Sequence, residues 1–231
     1  MKSSSSEWMS ISDMMSGLML VFMFIAISFM IQVQIDKDKM KEIAKTYEKD
    51  KAELNKDLHI EFLKDLKKWE AEITKDNTIV FNSPNVLFES GRSVIKNGFK
   101  NILNDFFPRY IKVLSSKKYK SEIDEIRVEG HTSTGWSNAI SKQNIYLNNM
   151  LLSQNRANNV LSYCYRLNAD LVKKNREWLE KHFRANGMAF AKLKYKDVNK
   201  TVQDIMKSRR VEFKVQMKTE EKIYKILEAS N

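Results

Sequence analysis

The residue with the clearest chemical potential is Asp13, which stands immediately before an uncharged run of 22 residues, Met14 to Ile35. A carboxylate inside a membrane costs about 2.5–3.5 kcal/mol at the bilayer centre and usually faces a protein interior or a water-filled path. One interpretation is therefore a proton or sodium carrier that alternates between its neutral and charged forms. The other is a first-turn helix residue beside Ser12, where free backbone amides and the helix dipole favour a carboxylate.

Small residues share a helical face with Asp13. Ser16 and Gly17 follow one turn later, and Leu20 continues the stripe at a spacing of three to four residues. Small side chains let a second helix approach closely inside a membrane. The pattern predicts that Ser16, Gly17 and Leu20 pack against a partner helix next to the acid.

The uncharged run predicts a transmembrane helix over residues 13–35, preceded by a short segment, residues 1–12. Such a helix extends about 33 Å, which matches a hydrocarbon core of roughly 30 Å. A cleaved signal peptide is the main alternative, but its apolar stretch is shorter, about 7–15 residues, and it ends in a small-residue cleavage site that is missing here. A buried helix of a soluble protein is the weaker alternative.

Charge and composition narrow the function classes. The chain has 231 residues and a formal net charge of +11, and residues 77–231 carry an excess of +13. This charge permits a nucleic-acid partner, but the lysines are scattered and no nucleic-acid-binding module is visible. The single cysteine, Cys164, excludes an intramolecular disulfide and a four-cysteine zinc site. Nucleotide-binding, hydrolase and zinc-protease motifs are missing, so we expect no enzyme and no metal or cofactor.

Residues 36–76 alternate charges as a solvated helix does, and one side carries an apolar seam. The seam consists of Met40, Ile43, Tyr47, Leu54, Leu58, Phe62, Leu66, Trp69 and Ile73. Two interpretations have equal weight. The segment is either a dimerising coiled coil or a single amphipathic helix that lies on the domain that follows, and in both cases we expect a helical linker.

Residues 77–218 alternate strand-like and helix-like segments, and residues 219–231 form a C-terminal tail. Strands are predicted at 78–81, 86–88, 125–130, 183–188 and 210–215, and helices at 92–114, 145–167 and 171–182. This alternation predicts an α/β or α+β domain.

Three short blocks of this domain carry a family resemblance. They are Gly130-His131-Thr132 at a strand end, Asn149-x-x-Leu152-Ser153-x-x-Arg156-Ala157-x-x-Val160, and Ser208-Arg209-Arg210-Val211-Glu212. In this order they resemble the OmpA-like peptidoglycan-binding domain, whose fold implies a mixed sheet with packed helices. Together with one N-terminal membrane helix that bears an acid, the chain resembles MotB-type stator subunits. Its short N-terminus and methionine-rich helix are most similar to the motor subunits of an anti-phage defence system.

The resemblance to stator subunits implies a role for each part of the chain. Asp13 is implied as the ion-carrying aspartate, in a homodimer that a pentamer of MotA-type membrane subunits encloses. The implied location is the bacterial inner membrane, with a cytoplasmic N-terminus, a periplasmic domain, and contacts with lipid and peptidoglycan but not nucleic acid. The lysines after the helix, counted literally, favour the opposite orientation. Residues 32–47 correspond to a plug or linker.

The resemblance to the OmpA-like domain implies a site for the diaminopimelate of the wall peptide. Arg156 matches the arginine that grips a carboxylate, and a planar guanidinium is well suited to that contact. Ser133 stands where the family has an aspartate, and a serine cannot form an ion pair with the ligand's ammonium. Thr132, Asn149 and Arg209 complete the implied set of peptidoglycan-binding residues.

The sequence therefore favours an ion-channel-forming stator subunit of a proton-driven membrane motor that is anchored to the cell wall and acts in antiviral defence. Two alternatives stay open. One is a flagellar MotB-type stator subunit, and the other is a passive membrane-tethered peptidoglycan-binding protein in which Asp13 is only a helix cap.

Overall fold

The computed structural model describes residues 4–136 and 141–218, so the predicted tail at 219–231 lies outside the described residues. The helices are α1 (Ser4–Leu66), α2 (Pro84–Leu87), α3 (Asn97–Leu114), α4 (Lys142–Tyr165), α5 (Asp170–Lys174), α6 (Arg176–His182) and α7 (Ile205–Ser208). The strands are β1 (Ala71–Ile73), β2 (Thr78–Phe81), β3 (Ile123–Gly130), β4 (Phe183–Gly187) and β5 (Val211–Met217). Residues 4–48 belong to one compact unit and residues 49–218 to another.

The first unit contains an apolar stretch of α1. Among the described residues, α1 is the one helix long and apolar enough to cross a membrane, judged by length and composition. Its most apolar 18-residue window has a mean hydropathy of 2.4, and none of that window is buried within the chain. This is the helix on which the sequence predicts the membrane span.

The five strands of the second unit form one mixed sheet in the order β1-β2-β5-β3-β4. Strands β3 and β4 are parallel, and the other neighbouring pairs are antiparallel. Parallel neighbours need a crossover connection, which α4, α5 and α6 supply between β3 and β4. The architecture confirms the predicted fold class, a long apolar N-terminal helix followed by an α/β domain with a mixed sheet and packed helices.

Aromatic side chains hold α3 against the sheet. Phe81 of β2, Phe106 of α3 and Phe213 of β5 have no exposed surface. Their ring centroids are 5.0 to 6.0 Å apart, and all three pairs meet edge to face. Such pairs contribute about 0.5–1.5 kcal/mol beyond the burial of their area. The sheet is therefore a rigid base for the loops that leave its ends.

The last turns of α1 pack on the domain that follows. Leu54, Leu58 and Phe62 of the apolar seam have no exposed surface, and Trp69, just beyond the helix, is 4% exposed. This part of the apolar seam is therefore buried within the chain's own α/β domain.

The predicted helical linker over residues 36–76 ends earlier than expected. Helix α1 ends at Leu66, and β1 occupies three of the residues that we expected to be helical. Glu70 has a φ of 49° and turns the chain, so that β1 can pair with β2 in an antiparallel register. A strand of three residues has too few positions for the sequence pattern to distinguish it from the end of an amphipathic helix.

Two other predicted elements differ in the structure. The strand predicted at 86–88 lies largely within α2, because the amides of Val86 and Leu87 both donate to the carbonyl oxygen of Ser83, at 3.0 and 3.1 Å. The helix predicted at 171–182 is divided into α5 and α6 at Asn175. Both differences lie in short segments, where apolar residues are compatible with either a helix or a strand.

Candidate functional site

A cavity of about 600 Å³ opens beside the edge of the sheet where β3 ends and β5 begins. All five residues that the sequence analysis assigned to wall binding line it, namely Thr132, Ser133, Asn149, Arg156 and Arg209. Trp136 and the segment from Phe88 to Gly91 line it as well. The fold thus gathers residues from three separate blocks of sequence, and their role in binding stays a prediction.

Sheet pairing brings two of these blocks together. Gly130 at the end of β3 is the register partner of Val211 at the start of β5. The residues beyond these two strand ends therefore leave the sheet at the same edge. As a result, Nε of Arg209 donates a hydrogen bond to Oγ of Ser133 at 2.9 Å.

Helix α4 supplies the third block. Asn149 and Arg156 are seven residues apart, which places them on one helical face two turns apart. The helix approaches the sheet so closely that a Cβ on Gly130 would lie 2.3 Å from the carbonyl oxygen of Ser153. A Cβ on Gly187 would lie 2.6 Å from the amide nitrogen of the residue after Ser153. Any side chain larger than hydrogen at these two positions would clash with the backbone of α4, so both glycines are required for the close packing of α4 on the sheet.

Arg156 of α4 is 7% exposed and contacts the loop between α2 and α3. Its Nε donates to the carbonyl oxygen of Arg92 at 2.9 Å, and its Nη2 donates to the carbonyl oxygen of Glu89 at 3.2 Å. The guanidinium lies 4.9 Å from the ring centre of Phe88. Burial and, second, the like charge of Arg209 lower the pKa of Arg156 to about 10. Arg156 is therefore charged at neutral pH, and it both supports the loop and faces the cavity.

Thr132 adds a buried polar group to the cavity. Its side chain is 4% exposed, and within the described part of the chain its Oγ1 has no hydrogen-bond partner. Its backbone amide donates to the carbonyl oxygen of Ala189 at 2.8 Å, which fixes its position. A buried hydroxyl without a partner is unfavourable, and a ligand in the cavity can supply the missing hydrogen bond.

The structure also gathers three ionisable side chains that the sequence analysis did not connect. Glu129 and His131 are two residues apart at the end of β3, and Glu212 of β5 is the register partner of Glu129. Nε2 of His131 lies 3.4 Å from Oε2 of Glu129 and 3.6 Å from Oε2 of Glu212. The sequence alone could have linked Glu129 with His131, because residues two apart in a strand lie on the same face. Glu212 can be placed beside them only from the pairing register of β3 and β5.

These three side chains are of metal-ligating types, and their ligand atoms lie within 4.8 Å of one another. Cations nevertheless already surround them. Nε of Arg210 donates to Oε1 of Glu212 at 2.5 Å, and Nζ of Lys192 lies 3.3 Å from Oε2 of Glu129. Nη1 of Arg127 lies 3.5 Å from the other oxygen of Glu129. Three cations facing two carboxylates oppose a further cation, so we assign this group a structural role at the base of the strand ends.

In the other unit, Asp13, Ser16, Gly17 and Leu20 lie on one face of α1 and are all exposed in the single chain. The hydroxyl of Ser16 donates to the carbonyl oxygen of Ser12 at 2.8 Å. Apart from the adjacent backbone of α1 itself, no atom of the described residues lies within 4 Å of a Cβ built on Gly17. This face of α1 can therefore accommodate a closely packed helix. The packing role of Ser16, Gly17 and Leu20 stays a prediction.

Comparison with known proteins decides the family. No protein-family model matches the chain. The chain is 44% identical to Zorya protein ZorB of Escherichia coli over 224 aligned residues. The aligned region covers 96% of this chain and 92% of that protein. The chain belongs to the ZorB family. Because the match covers nearly the whole length, ZorB shares both the apolar helix and the α/β domain with this chain.

Solved structures give weaker matches to this ZorB-family chain. The cell wall anchor of the T6SS from Pseudomonas aeruginosa has a TM-score of 0.45 and 19% identity, covering 70% of this chain and 97% of that one. A MotB-like protein from Desulfovibrio vulgaris has a TM-score of 0.45 and 17% identity, covering 80% and 99%. The periplasmic domain of Helicobacter pylori MotB has a TM-score of 0.43 and 17% identity, covering 69% and 97%.

The sequence pattern does not predict the part of the cavity that comes from the loop between α2 and α3. It predicts a strand at Phe88 and gives Glu89 no role. In the structure, the carbonyl oxygen of Glu89 accepts from Arg156, a residue 67 positions away. No local signal marks such a contact, because it depends on how α4 packs across the sheet.

Proposed function

We propose that this ZorB-family chain is the ion-carrying, wall-anchored subunit of a proton-driven membrane motor in Zorya anti-phage defence. The observation that carries the proposal is the 44% identity to Zorya protein ZorB over nearly the whole chain. The aligned region includes both helix α1, which contains Asp13, and the domain that contains the cavity. The resemblance of the sequence motifs to MotB-type stator subunits supports the motor role.

In the proposed arrangement, two copies lie in the bacterial inner membrane with cytoplasmic N-termini and periplasmic domains. A pentamer of MotA-type subunits encloses the two helices, and ion flow rotates this pentamer. Ser16, Gly17 and Leu20 pack against a neighbouring helix and keep it close to Asp13. Close packing limits the access of water to the acid to one side at a time.

Asp13 is the group on which ion transfer depends. Residues 14–35 contain no acidic, basic, histidine, tyrosine or cysteine side chain. A proton that crosses along this helix therefore meets no ionisable side chain within residues 14–35, and Asp13 is the side chain to which it binds. Protonation neutralises the carboxylate and lowers the cost of its exposure to an apolar neighbour, and release restores the charge.

In the domain, the cavity is proposed to hold the peptide of the cell wall. The guanidiniums of Arg156 and Arg209 both line it, and each can bind a carboxylate through two parallel hydrogen bonds. A wall peptide offers carboxylates at its side chains and its terminus. Anchoring prevents the membrane subunit from turning with the pentamer, so that ion flow produces relative rotation.

Asp13→Asn tests the motor role. We expect phage protection to fall to the level of cells without the system, because an amide cannot bind and release a proton, while the chain still copurifies with its MotA-type partner. Plaque counts on cells that carry the complete defence locus measure protection. The matched control is Asp38→Asn, which removes an exposed acid of the same helix beyond the uncharged run. Full protection by Asp13→Asn would favour the passive wall-tethered alternative.

Arg156→Ala tests the wall-binding role. We expect the purified full-length chain to lose at least about ten-fold in affinity for isolated peptidoglycan sacculi, because a charged hydrogen bond contributes about 1.5–3 kcal/mol. Cosedimentation measures the bound fraction, and circular dichroism checks that the variant is folded. Arg176→Ala, an exposed position on α6 outside the cavity, is the control. Unchanged binding by a folded Arg156→Ala variant would leave that residue with its structural role alone.

A further inference from the structure

The charges that line the cavity are unbalanced. Arg156 and Arg209 line it, and so does Arg210, which Glu212 already neutralises at 2.5 Å. Among the described residues of the lining, Glu89 is the one carboxylate, and its side chain is 59% exposed. The four undescribed residues 137–140, between Trp136 and α4, contain no acid. Two guanidiniums therefore face the cavity without a buried counter-charge.

Neutral partners hold both of these guanidiniums. Arg156 donates to the carbonyl oxygens of Arg92 and Glu89, and Arg209 donates to the hydroxyl of Ser133. Carbonyl and hydroxyl oxygens fix the side chains but do not neutralise their charge. Burial and, second, the like charge of Arg209 lower the pKa of Arg156. An anion that enters the cavity would offset the repulsion between the two guanidiniums.

Thr132 points to the same kind of ligand. Its Oγ1 is buried without a partner in the described part of the chain, and the residue lines the cavity. A hydroxyl can donate to a carboxylate oxygen. An ammonium, by contrast, would have to approach two guanidiniums, and like charges at such distances repel strongly in a partly buried site.

We propose that the cavity holds its ligand through carboxylates and makes no ion pair with the ligand's amine, and that Ser133 determines this specificity. This inference rests on the proposed wall-binding function. Ser133 lies against Arg209, so a carboxylate at this position would neutralise that guanidinium and would also offer a partner to an amine. With a serine there, a free amine on the wall peptide contributes nothing to binding.

The test uses isolated sacculi in three forms: untreated, with the free amines acetylated, and with the free carboxyls amidated. The purified full-length chain is cosedimented with each form. We expect acetylation to change the affinity by less than about two-fold, since no ion pair with the amine exists. We expect amidation to weaken binding by at least about ten-fold, because charged hydrogen bonds to both guanidiniums are lost.

Two variants locate the specificity. Ser133→Asp should weaken binding to acetylated sacculi by about ten-fold relative to untreated sacculi, since it creates a dependence on the amine. Glu177→Gln, which removes an exposed carboxylate of α6 outside the cavity, should bind untreated sacculi as the unchanged chain does. The chemically modified sacculi test the inference on the unchanged chain, so the result stands even where Ser133→Asp fails to fold.

Each negative result has a separate meaning. Binding that acetylation weakens as much as amidation would overturn the inference. In that case the wall-binding function survives. A chain that does not bind untreated sacculi would overturn the wall-binding function itself, and this inference with it.

Discussion

Glu129 and Glu212 are buried carboxylates whose charge is stabilised by the groups around them. Burial alone would raise the pKa of each carboxyl. The imidazole of His131 faces both and outweighs this effect, together with Lys192 for Glu129 and Arg210 for Glu212, so that both pKa values fall to about 2. Because these carboxylates join β3 to β5 at the strand ends, their charge supports the edge from which the cavity is built.

This arrangement predicts acid sensitivity. The pKa of Glu129 is lowered from an ordinary value of 4.5 to about 2, so its contribution to stability is present above pH 4.5 and is lost as the pH falls to about 2. We expect Glu129→Gln to lower the free energy of unfolding by about 3 kcal/mol at pH 7. The variant should also lose less stability than the unchanged chain between pH 4.5 and 2.

Urea unfolding of the full-length chain in detergent, followed by circular dichroism at a series of pH values, measures both effects. Glu177→Gln, an exposed carboxyl of α6, is the control and should change the free energy of unfolding by less than about 0.5 kcal/mol. Parallel pH profiles for Glu129→Gln and the unchanged chain would show that this carboxyl does not carry the acid response.

At the scale of elements, the last turns of α1 are an integral part of the α/β domain. Arg109 of α3 lies 2.8 Å from Oε1 of Glu61 and 2.8 Å from Oδ2 of Asp65. Burial would lower the pKa of Arg109, but these carboxylates and Asp105 outweigh it and raise the pKa above its ordinary value. Ion pairs and buried apolar residues thus hold the same helix face, so this stretch of the seam is not free to pair with a second copy.

Leu58→Ala tests how strongly α1 is held. Leu58 has no exposed surface, so the truncation removes buried methyl groups and leaves a cavity, which typically costs about 2–5 kcal/mol. We expect a loss of about 3 kcal/mol in the free energy of unfolding, measured by urea titration of the full-length chain. Leu63→Ala is the matched control, because Leu63 on the same helix is 66% exposed. Equal small losses in both variants would mean that α1 only rests on the domain surface.

At the scale of the whole molecule, ion transfer and anchoring are assigned to separate units of one chain. Asp13 lies in the unit of residues 4–48, and the cavity lies in the unit of residues 49–218. The two proposed functions should therefore be separable by substitution. Asp13→Asn is expected to keep wall binding while it abolishes phage protection, and Arg156→Ala is expected to weaken wall binding with Asp13 intact.

The distribution of charge agrees with this division. The excess of +13 over residues 77–231 suits a carboxylate-rich cell wall, to which positive charge attracts the domain at long range. The uncharged run of α1 contains no acid and lies between Asp13 at one end and Asp36 at the other. The net charge of +11 reveals neither feature, because it is the sum of the charges of the whole chain.

Local sequence patterns are sufficient to predict one group of features. An uncharged run of 22 residues predicts a membrane helix from length and hydropathy alone. Alternating strand and helix patterns predict the α/β class, because side-chain periodicity acts within short stretches of chain. The resemblance of three motif blocks to the OmpA-like domain, and not periodicity, implies the site residues Thr132, Ser133, Asn149, Arg156 and Arg209.

The contacts that build the site follow from the tertiary structure. The register of β3 against β5 places Glu212 beside Glu129 and Ser133 beside Arg209. The hydrogen bond from Arg156 of α4 to Arg92 brings the loop between α2 and α3 to the cavity. These contacts join residues far apart in sequence, and their geometry follows from packing the helices on a mixed sheet, for which no local pattern codes.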